Sequence, residues 1–248
     1  MSKTRVKITK LSFQQKNPEY VNVFIDDKFD FSVSINLLIK AGLKKGDEVS
    51  EIDLRAIKSE SKWQKWIEKC LNYISIRPRS KKEIREYIKS KLFKYKRLGI
   101  LENYSLEELE EGASDEKKSL GVRDSDELSD SIIRYLEERN YLNDVEFACF
   151  LIRERTRSSN PRGENYIKSE LISKGVDVNE IKIAFATLRE LEEFDEGVTL
   201  KIAVDKAIAR YSRLEKKELK NKAYSYLQRR GFNFSDFKPL VDEKLDTI

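Results

Sequence analysis

Tyr87-Ile88-Lys89-Ser90-Lys91-Leu92 returns further along the chain as Tyr166-Ile167-Lys168-Ser169-Glu170-Leu171, and Leu171…Gly175 returns as Leu227…Gly231. Self-similarity on this scale marks an array of small units that bury their apolar faces on one another. Around the first copy, Ser80-Lys81-Lys82-Glu83 has the S-x-x-E form of a capping box and opens a helix carrying Ile84, Tyr87, Ile88 and Leu92 on one stripe. Before it, Trp63, Trp66, Ile67, Cys70, Leu71 and Ile74 keep helical spacing until Ile76-Arg77-Pro78, where proline disfavours helical geometry in the residue before it. After it, a helix through Leu128, Ile132, Ile133 and Leu136 runs to Asn140.

The same grammar recurs twice. Asp144 reads as the cap of a helix with Phe147, Leu151 and Ile152, and Ser158-Ser159-Asn160-Pro161 breaks it and starts another, proline suiting a first helical turn. That helix carries Tyr166, Ile167 and Leu171 and stops at Gly175. Asp177 with Glu180 opens the next, through Ile181, Ala184, Phe185 and Leu188. A third round spans Val198 to Tyr211 and Lys216 to Gly231, and Ser235 reads as the cap of a last helix with Phe237, Leu240, Val241 and Leu245. The expectation is a mainly α protein of three tandem three-helix repeats, at 61–142, 143–193 and 195–248.

Residues 1–58 read differently, as a small β-rich module. Val6, Ile8 and the Leu11/Phe13 pair, then Val21, Val23 and Ile25, then Phe29, Phe31 and Val33 lie near period two, with Asp26-Asp27-Lys28 as a hairpin turn. Ser34 then caps a short helix through Leu37, Leu38 and Ile39 that stops at Gly42.

Composition narrows the chemistry. Of 248 residues, 38% are charged, which favours narrow amphipathic helices over one large core. The chain has no histidine, so Ser-His and Cys-His pairs, H-E-x-x-H metal sites and imidazole bases are excluded. Cys70 and Cys149 are too few for a four-cysteine zinc site and sit at apolar helical positions, as reduced core fillers. The glycines form neither a P-loop nor a G-x-G-x-x-G turn, and the carboxylates are scattered over caps and exposed faces, unlike a Mg²⁺-dependent nuclease. No cofactor and no enzymatic activity are expected. The start has no h-region and no apolar run approaches the ~18 residues of a membrane span, so a cytoplasmic protein without membrane contact is expected.

The net charge of +5 is unevenly divided. Residues 61–100 hold 13 basic against 3 acidic groups, a net of +10, whereas residues 101–130 hold 3 against 11, a net of −8. The first stretch should attract a polyanion, and its cations suit phosphates along a backbone rather than base edges. Engagement of about five phosphates would give log K a slope of about −4 against log[salt]. The acidic stretch, centred on an insertion at about 101–125, could cover the same cations in place of a polyanion. Smaller basic clusters are Arg153, Arg155, Arg157 and Arg162, and Arg229 with Arg230, where arginine at a helix end also complements the macrodipole. Trp63, Trp66, Tyr87, Phe147, Tyr166 and Phe185 fall on buried stripes, and no exposed aromatic row of the kind that stacks single-stranded bases is evident.

Arg139-Asn140-Tyr141-Leu142-Asn143-Asp144 followed by Phe147-Ala148 resembles the G-Y-L-x-D-x-x-F-A junction of RecX regulatory proteins. Three further pieces agree in order: Arg77-Pro78-Arg79-Ser80-Lys81-Lys82-Glu83-Ile84, Tyr166 through Gly175, and Leu227-Gln228-Arg229-Arg230-Gly231-Phe232. The resemblance covers about residues 60–245, with Asn140 where the family usually has glycine, a mild change because asparagine tolerates the left-handed C-cap.

The resemblance implies an elongated, curved solenoid of three repeats that lies in the groove of the RecA–single-stranded-DNA filament. There it would restrain RecA ATP hydrolysis, strand exchange and the SOS coprotease activity. The partners implied are the RecA filament and single-stranded DNA, with duplex DNA as a further ligand through phosphates, and the protein is expected to be a monomer. From charge and placement the candidate contacts are Arg77, Arg79, Lys81, Lys82, Arg85 and Lys89 in the first repeat. Arg153, Arg155, Arg157, Arg162, Arg229 and Arg230 are the candidates in the later ones. Of these the family match fixes only Arg77, Arg79, Arg229 and Arg230 within its motifs. The competing reading is a sequence-independent nucleic-acid-binding helical module that competes for DNA phosphates.

Overall fold

A computed structural model describes residues 5–97, 123–157 and 160–247. Its elements follow the order β1 (Arg5–Phe13), β2 (Tyr20–Ile25), β3 (Lys28–Ser34), α1 (Ile35–Lys40), β4 (Glu48–Ser50), then α2 (Glu51–Ile74), α3 (Lys81–Arg97) and α4 (Arg123–Glu138). They continue with α5 (Asp144–Arg157), α6 (Glu164–Ser173), α7 (Val178–Glu190), α8 (Glu196–Tyr211), α9 (Lys216–Arg229) and α10 (Phe234–Asp246). The protein is mainly helical, with a small sheet at its start. The acidic insertion read at about 101–125 lies outside the described residues up to the start of α4, as does the Ser158-Ser159 part of the break after α5.

Two compact units emerge, one from residues 1–73 and 88–132, the other from 74–87 and 133–248. In the first, the sheet has strand order β3-β2-β1-β4, with all neighbours antiparallel. Asp26 and Asp27 both take positive φ (49° and 63°), the conformation a two-residue hairpin turn requires. Ile8, Val21, Val23, Val33, Leu37 and Leu43 form the buried face. Ser34 caps α1 as expected, its hydroxyl accepting from the Leu37 N–H, and Gly42 follows at φ +66°. The three-residue β4, absent from the sequence reading, pairs Glu48–Ser50 with Arg5–Lys7.

Helix α2 closes the β3 edge. Ser61 Oγ (2.7 Å) and Lys65 Nζ (2.9 Å) both donate to the Ser32 carbonyl, which occupies an edge acceptor that could otherwise pair with another strand. Burial, then the neighbouring Lys69 charge, lowers the Lys65 pKa to about 8. Trp66, Ile67 and Cys70 are buried on α2, and burial pushes the Cys70 thiol up to about 12, which suits a core filler. Cys149 is likewise buried and its pKa raised, chiefly by burial.

In the second unit, α5 packs on α6 and α7, and α8, α9 and α10 pack on one another. One core gathers Phe147, Ile152, Ile167, Leu171, Phe185 and Leu188; another gathers Val204, Ala207, Leu227, Phe237 and Val241. These are the expected stripes. Asp177 and Glu180 form the expected reciprocal capping box, and Asn140 adopts φ +56°, the left-handed conformation that excuses its replacement of glycine.

Several starts and stops move. The cap position of α5 belongs to Asn143, whose Oδ1 accepts from the Val145 and Glu146 N–H groups, so Asp144 is free for another task. Helix α6 begins at Glu164 rather than Pro161. The Arg162 and Gly163 N–H groups are drawn off to the Arg155 and Arg230 carbonyls. The last helix begins at Phe234 behind Asn233, so Ser235 lies inside it, while α8 starts at Glu196 with Asp195 as its cap. Trp66, Phe147 and Phe185 are buried as read, but Trp63, Tyr87 and Tyr166 are only half-buried.

Candidate functional site

The capping motif at Ser80 does more than start a helix. Ser80 Oγ accepts from the Glu83 N–H (3.1 Å) and also donates to the Lys174 carbonyl (2.8 Å), at the turn that ends α6. Glu83 does not return to the Ser80 N–H as a reciprocal box would. Its carboxylate, buried at 7% exposure, instead accepts two bonds from Arg77 (3.0 Å each) and one from Lys174 Nζ (3.0 Å). Burial alone would raise the Glu83 pKa, but the hydrogen bonds from Arg77 and Lys174 hold it below the usual carboxylate range.

Lys81 and Lys82 join the same contact. The Lys81 N–H donates to Asp144 Oδ1 (2.9 Å), its ammonium meets Glu137 (2.8 Å) and Glu180 (3.4 Å), and Lys82 Nζ donates to the Ser173 carbonyl (2.9 Å). The start of α3 is therefore sealed by groups from α5 and from the α6–α7 turn. Asp144, 2% exposed, serves as the distant cap of α3 rather than as the cap of its own helix. Burial is the main cause that pushes its pKa up to about 6, against the Lys81 N–H and charge, with Glu180 and Glu137 adding to the rise.

The next joint repeats this geometry. The Glu164 N–H at the start of α6 donates to Glu196 Oε1 (3.1 Å), and Glu196, like Asp144, is the first residue of the helix two further along the chain and has a pKa raised by burial. The Gly163 N–H donates to the Arg230 carbonyl (2.8 Å), at the turn that ends α9. Gly175 and Gly231, which end α6 and α9, both have positive φ (81° and 82°) and both touch the start of the preceding unit's second helix. A Cβ at 175 would lie 2.8 Å from Lys82 Cβ, and one at 231 would lie 2.6 Å from Tyr166 Cβ. The repeated glycines are thus joint residues.

Asp144 gives a pH-dependent prediction. An acid whose pKa is raised in the folded state contributes stability that is full below its unfolded pKa near 4 and is lost as pH rises through about 6. Asp144→Asn should remove that dependence. Urea midpoints should show the parent losing stability relative to the variant between about pH 4 and pH 6, by on the order of 2 kcal/mol. Parallel curves across this window would contradict the assignment.

The remaining candidates are also largely engaged. Arg153 (2.5 Å) and Arg157 (3.3 Å) both meet Glu193, and Arg155 makes a two-point contact with Glu170. The Arg162 guanidinium lies 4.2 Å from the Tyr166 ring centre, and Arg230 stacks on Tyr226 while donating to the Asn160 carbonyl (2.6 Å). Arg79 and Arg85 are half-buried with partners inside the molecule, and Lys89 pairs with Asp126 (2.5 Å). Arg229 is exposed in the last turn of α9. A groove of about 870 Å³ is lined by Arg157, Arg189 and Glu193 together with the apolar Phe194, Val198 and Ile202.

The structure thus gathers Arg77, Lys81 and Lys82 into one joint and Arg162 and Arg230 into the other, while Arg85 and Lys89 lie on α3, Arg153, Arg155 and Arg157 on α5, Arg229 on α9, and Arg79 just before α3. Among the described residues, no group of three or more His, Cys, Asp or Glu could hold a metal ion, and no helix is long and apolar enough to cross a membrane. Charge counting does not find the exposed aromatics, among them Phe93 (70% exposed), Phe13 (69%) and Phe29 (55%). For Phe93 the signal was available, since it lies one residue past Leu92 and so off the Ile84–Ile88–Leu92 stripe.

Comparison with known proteins agrees with this architecture. Residues 6–50 match the regulatory protein RecX N-terminal domain, and residues 198–238 match the third three-helix domain of RecX. The chain is 30% identical over 236 residues to the regulatory protein RecX of Bacillus subtilis (strain 168), covering 95% of this chain and 76% of that protein. It is 31% identical over 230 residues to the regulatory protein RecX of Listeria monocytogenes (serovar 1/2a), covering 92% and 71% respectively. A crystal structure of a regulatory protein RecX shares the fold, with a TM-score of 0.60 at 20% identity, covering 96% of this chain and 99% of that one.

Proposed function

This chain belongs to the RecX family of regulatory proteins, non-catalytic proteins of recombination, and on that premise we propose that it modulates the RecA recombinase on single-stranded DNA. In this reading the protein lies in the groove of the RecA–single-stranded-DNA filament and mostly inhibits ATP hydrolysis, strand exchange and the SOS coprotease activity. The β-rich module occupies 1–58 and the three repeats 61–142, 143–193 and 195–248.

The observation that carries the reading is the repeated joint. Asp144 on the α3 start and Glu196 on the α6 start seal equivalent helix ends with equivalent acids. The starts of α3 and α6 are thereby closed in the same way, and such local recurrence suits contact with a periodic assembly. Weak contacts to several protomers then add through effective concentration. Within the candidate set Lys82, Lys89, Arg157 and Arg229 are exposed, and with Lys82 held by the Ser173 carbonyl and Lys89 by Asp126, Arg157 and Arg229 are the ones that meet the filament in this reading. Arg77, Lys81, Arg155 and Arg230 act mainly by holding the joints and helices that position those contacts.

Titrating the protein into RecA on excess single-stranded DNA while following ATP hydrolysis tests this. A filament modulator is expected to suppress hydrolysis at protein concentrations far below that of the DNA. Suppression only near stoichiometric coating would support the competing reading, a sequence-independent module that removes DNA phosphates from RecA.

A further inference from the structure

Helix α3 turns an unusual face outward in its second half. Ile88 and Leu92 are buried, whereas Lys89, Phe93, Lys94 and Arg97 are exposed, Phe93 at 70%. At 100° per residue, positions 89, 93, 97 and 94 fall within an arc of about 140°, so they share one side of the helix. From Lys89 to Arg97 the stripe is about 12 Å long. The Phe93 ring lies among three cations, Lys89, Lys94 and Arg97, with the exposed Ser90 on the same side and Glu86 one turn earlier. Such a ring could have been buried against the core, as Phe147 and Phe185 are, yet it stands in water among like charges.

We infer that this stripe is a binding site for single-stranded nucleic acid, in which one base stacks on Phe93 while the flanking phosphates meet Lys94 and Arg97. The argument rests on chemical complementarity. An exposed aromatic ring offers a stacking platform that accepts any base, and adjacent cations track the backbone, the combination used for sequence-tolerant single-strand binding. The surrounding stretch, residues 61–100, carries a net +10, which raises the local concentration of a polyanion. Lys89 differs from its neighbours because Asp126 holds it, so it contributes field more than direct contact. Among the described residues no ion pair engages Lys94 or Arg97. A protein partner would be expected to meet a broader apolar patch than one ring, and duplex DNA would leave the ring without an unstacked base.

The inference deepens the proposed function and rests on it for the presence of single-stranded DNA at this surface. Its test is separable, because it needs no recombinase. Full-length protein, Phe93→Ala and Lys94→Glu/Arg97→Glu are titrated against a labelled oligodeoxythymidylate and against an abasic oligomer of the same length, at several salt concentrations. Removing the ring is expected to weaken oligothymidylate binding by roughly 5- to 100-fold, with the salt slope kept and the abasic oligomer bound as before. Charge reversal is expected to weaken both ligands and flatten the salt dependence. Unchanged thermal melting of the variants would show that the fold is intact, as expected for exposed positions.

The inference is overturned if Phe93→Ala binds oligothymidylate within twofold of the parent. It is equally overturned if the ring variant weakens both oligomers alike, or if it binds DNA normally but fails on RecA alone. In each of these cases the ATPase titration can still succeed, so failure of this site and failure of the filament reading are distinguishable.

Discussion

Alanine in place of Gly231 is expected to lower the stability of the protein by about 3 kcal/mol, read as a drop in the urea midpoint of the full-length chain. Two costs combine. Gly231 sits at φ +82°, where an L side chain costs about 1 kcal/mol. The added methyl would also lie 2.6 Å from Tyr166 Cβ and 2.9 Å from Tyr166 Cα, and overpacking of this kind typically costs 1–3 kcal/mol. The backbone has little room to relax. The Gly231 and Phe232 N–H groups close the end of α9 on Gln228 and Leu227, and the Gly163 N–H holds Arg230 from the other side. Gly42→Ala is the control, because φ is +66° there and nothing lies within 4 Å of an added Cβ. Its cost should stop at about 1 kcal/mol, from the backbone alone. Equal losses at the two positions would show that the α6–α9 joint does not clamp the turn.

Glu83→Ala is expected to cost about 2–3 kcal/mol, because it leaves Arg77 and Lys174 facing each other without their shared anion. Deleting one member of a fully buried ion pair costs 3–5 kcal/mol; here the Arg77 and Lys174 side chains are 32% and 38% exposed, so water recovers part of the loss. A double-mutant cycle between Arg77 and Glu83 should give a coupling of about 1 kcal/mol or more, and strict additivity would contradict the contact. The pH dependence runs opposite to that of Asp144. The Glu83 pKa is lowered in the folded state, so its contribution is present above the ordinary glutamate range and is lost as pH falls through the lowered value. Acidification therefore weakens one side of the joint while relieving the other, and only Glu83→Ala should flatten the acid limb.

The helical architecture was legible because it is written in local periodicity. Ile84, Ile88 and Leu92 keep the period of a helix face, and the Asp26-Asp27 turn and the left-handed Asn140 follow from the few residue types that tolerate those dihedrals. Asp144 was misread for the opposite reason. An aspartate before an apolar run has the form of a local cap, whereas its partner, the Lys81 N–H, lies 63 residues away. The partners of the basic clusters are hidden by the same blindness to distance. Arg153 and Arg157 look unpaired along the chain, yet folding brings Glu193 to both. A three-residue strand such as Glu48–Ser50 is too short to show any alternation. Motifs that read as ligand contacts, Arg77 through Glu83 and Arg230-Gly231, also form the sockets of an internal joint, and their recurrence matches the recurrence of that joint.

The direction of these sockets has a consequence for biosynthesis. In each case the start of an earlier helix is closed by a carboxylate and a glycine turn that are translated later: Asp144 and Gly175 for α3, Glu196 and Gly231 for α6. A nascent chain leaving the ribosome therefore carries each such helix with an unsealed amino end until the succeeding triplet has emerged. Sealing therefore advances in the direction of synthesis but lags it by one triplet: α3 is closed once Asp144 and Gly175 have emerged, and α6 only after Glu196 and Gly231 have followed.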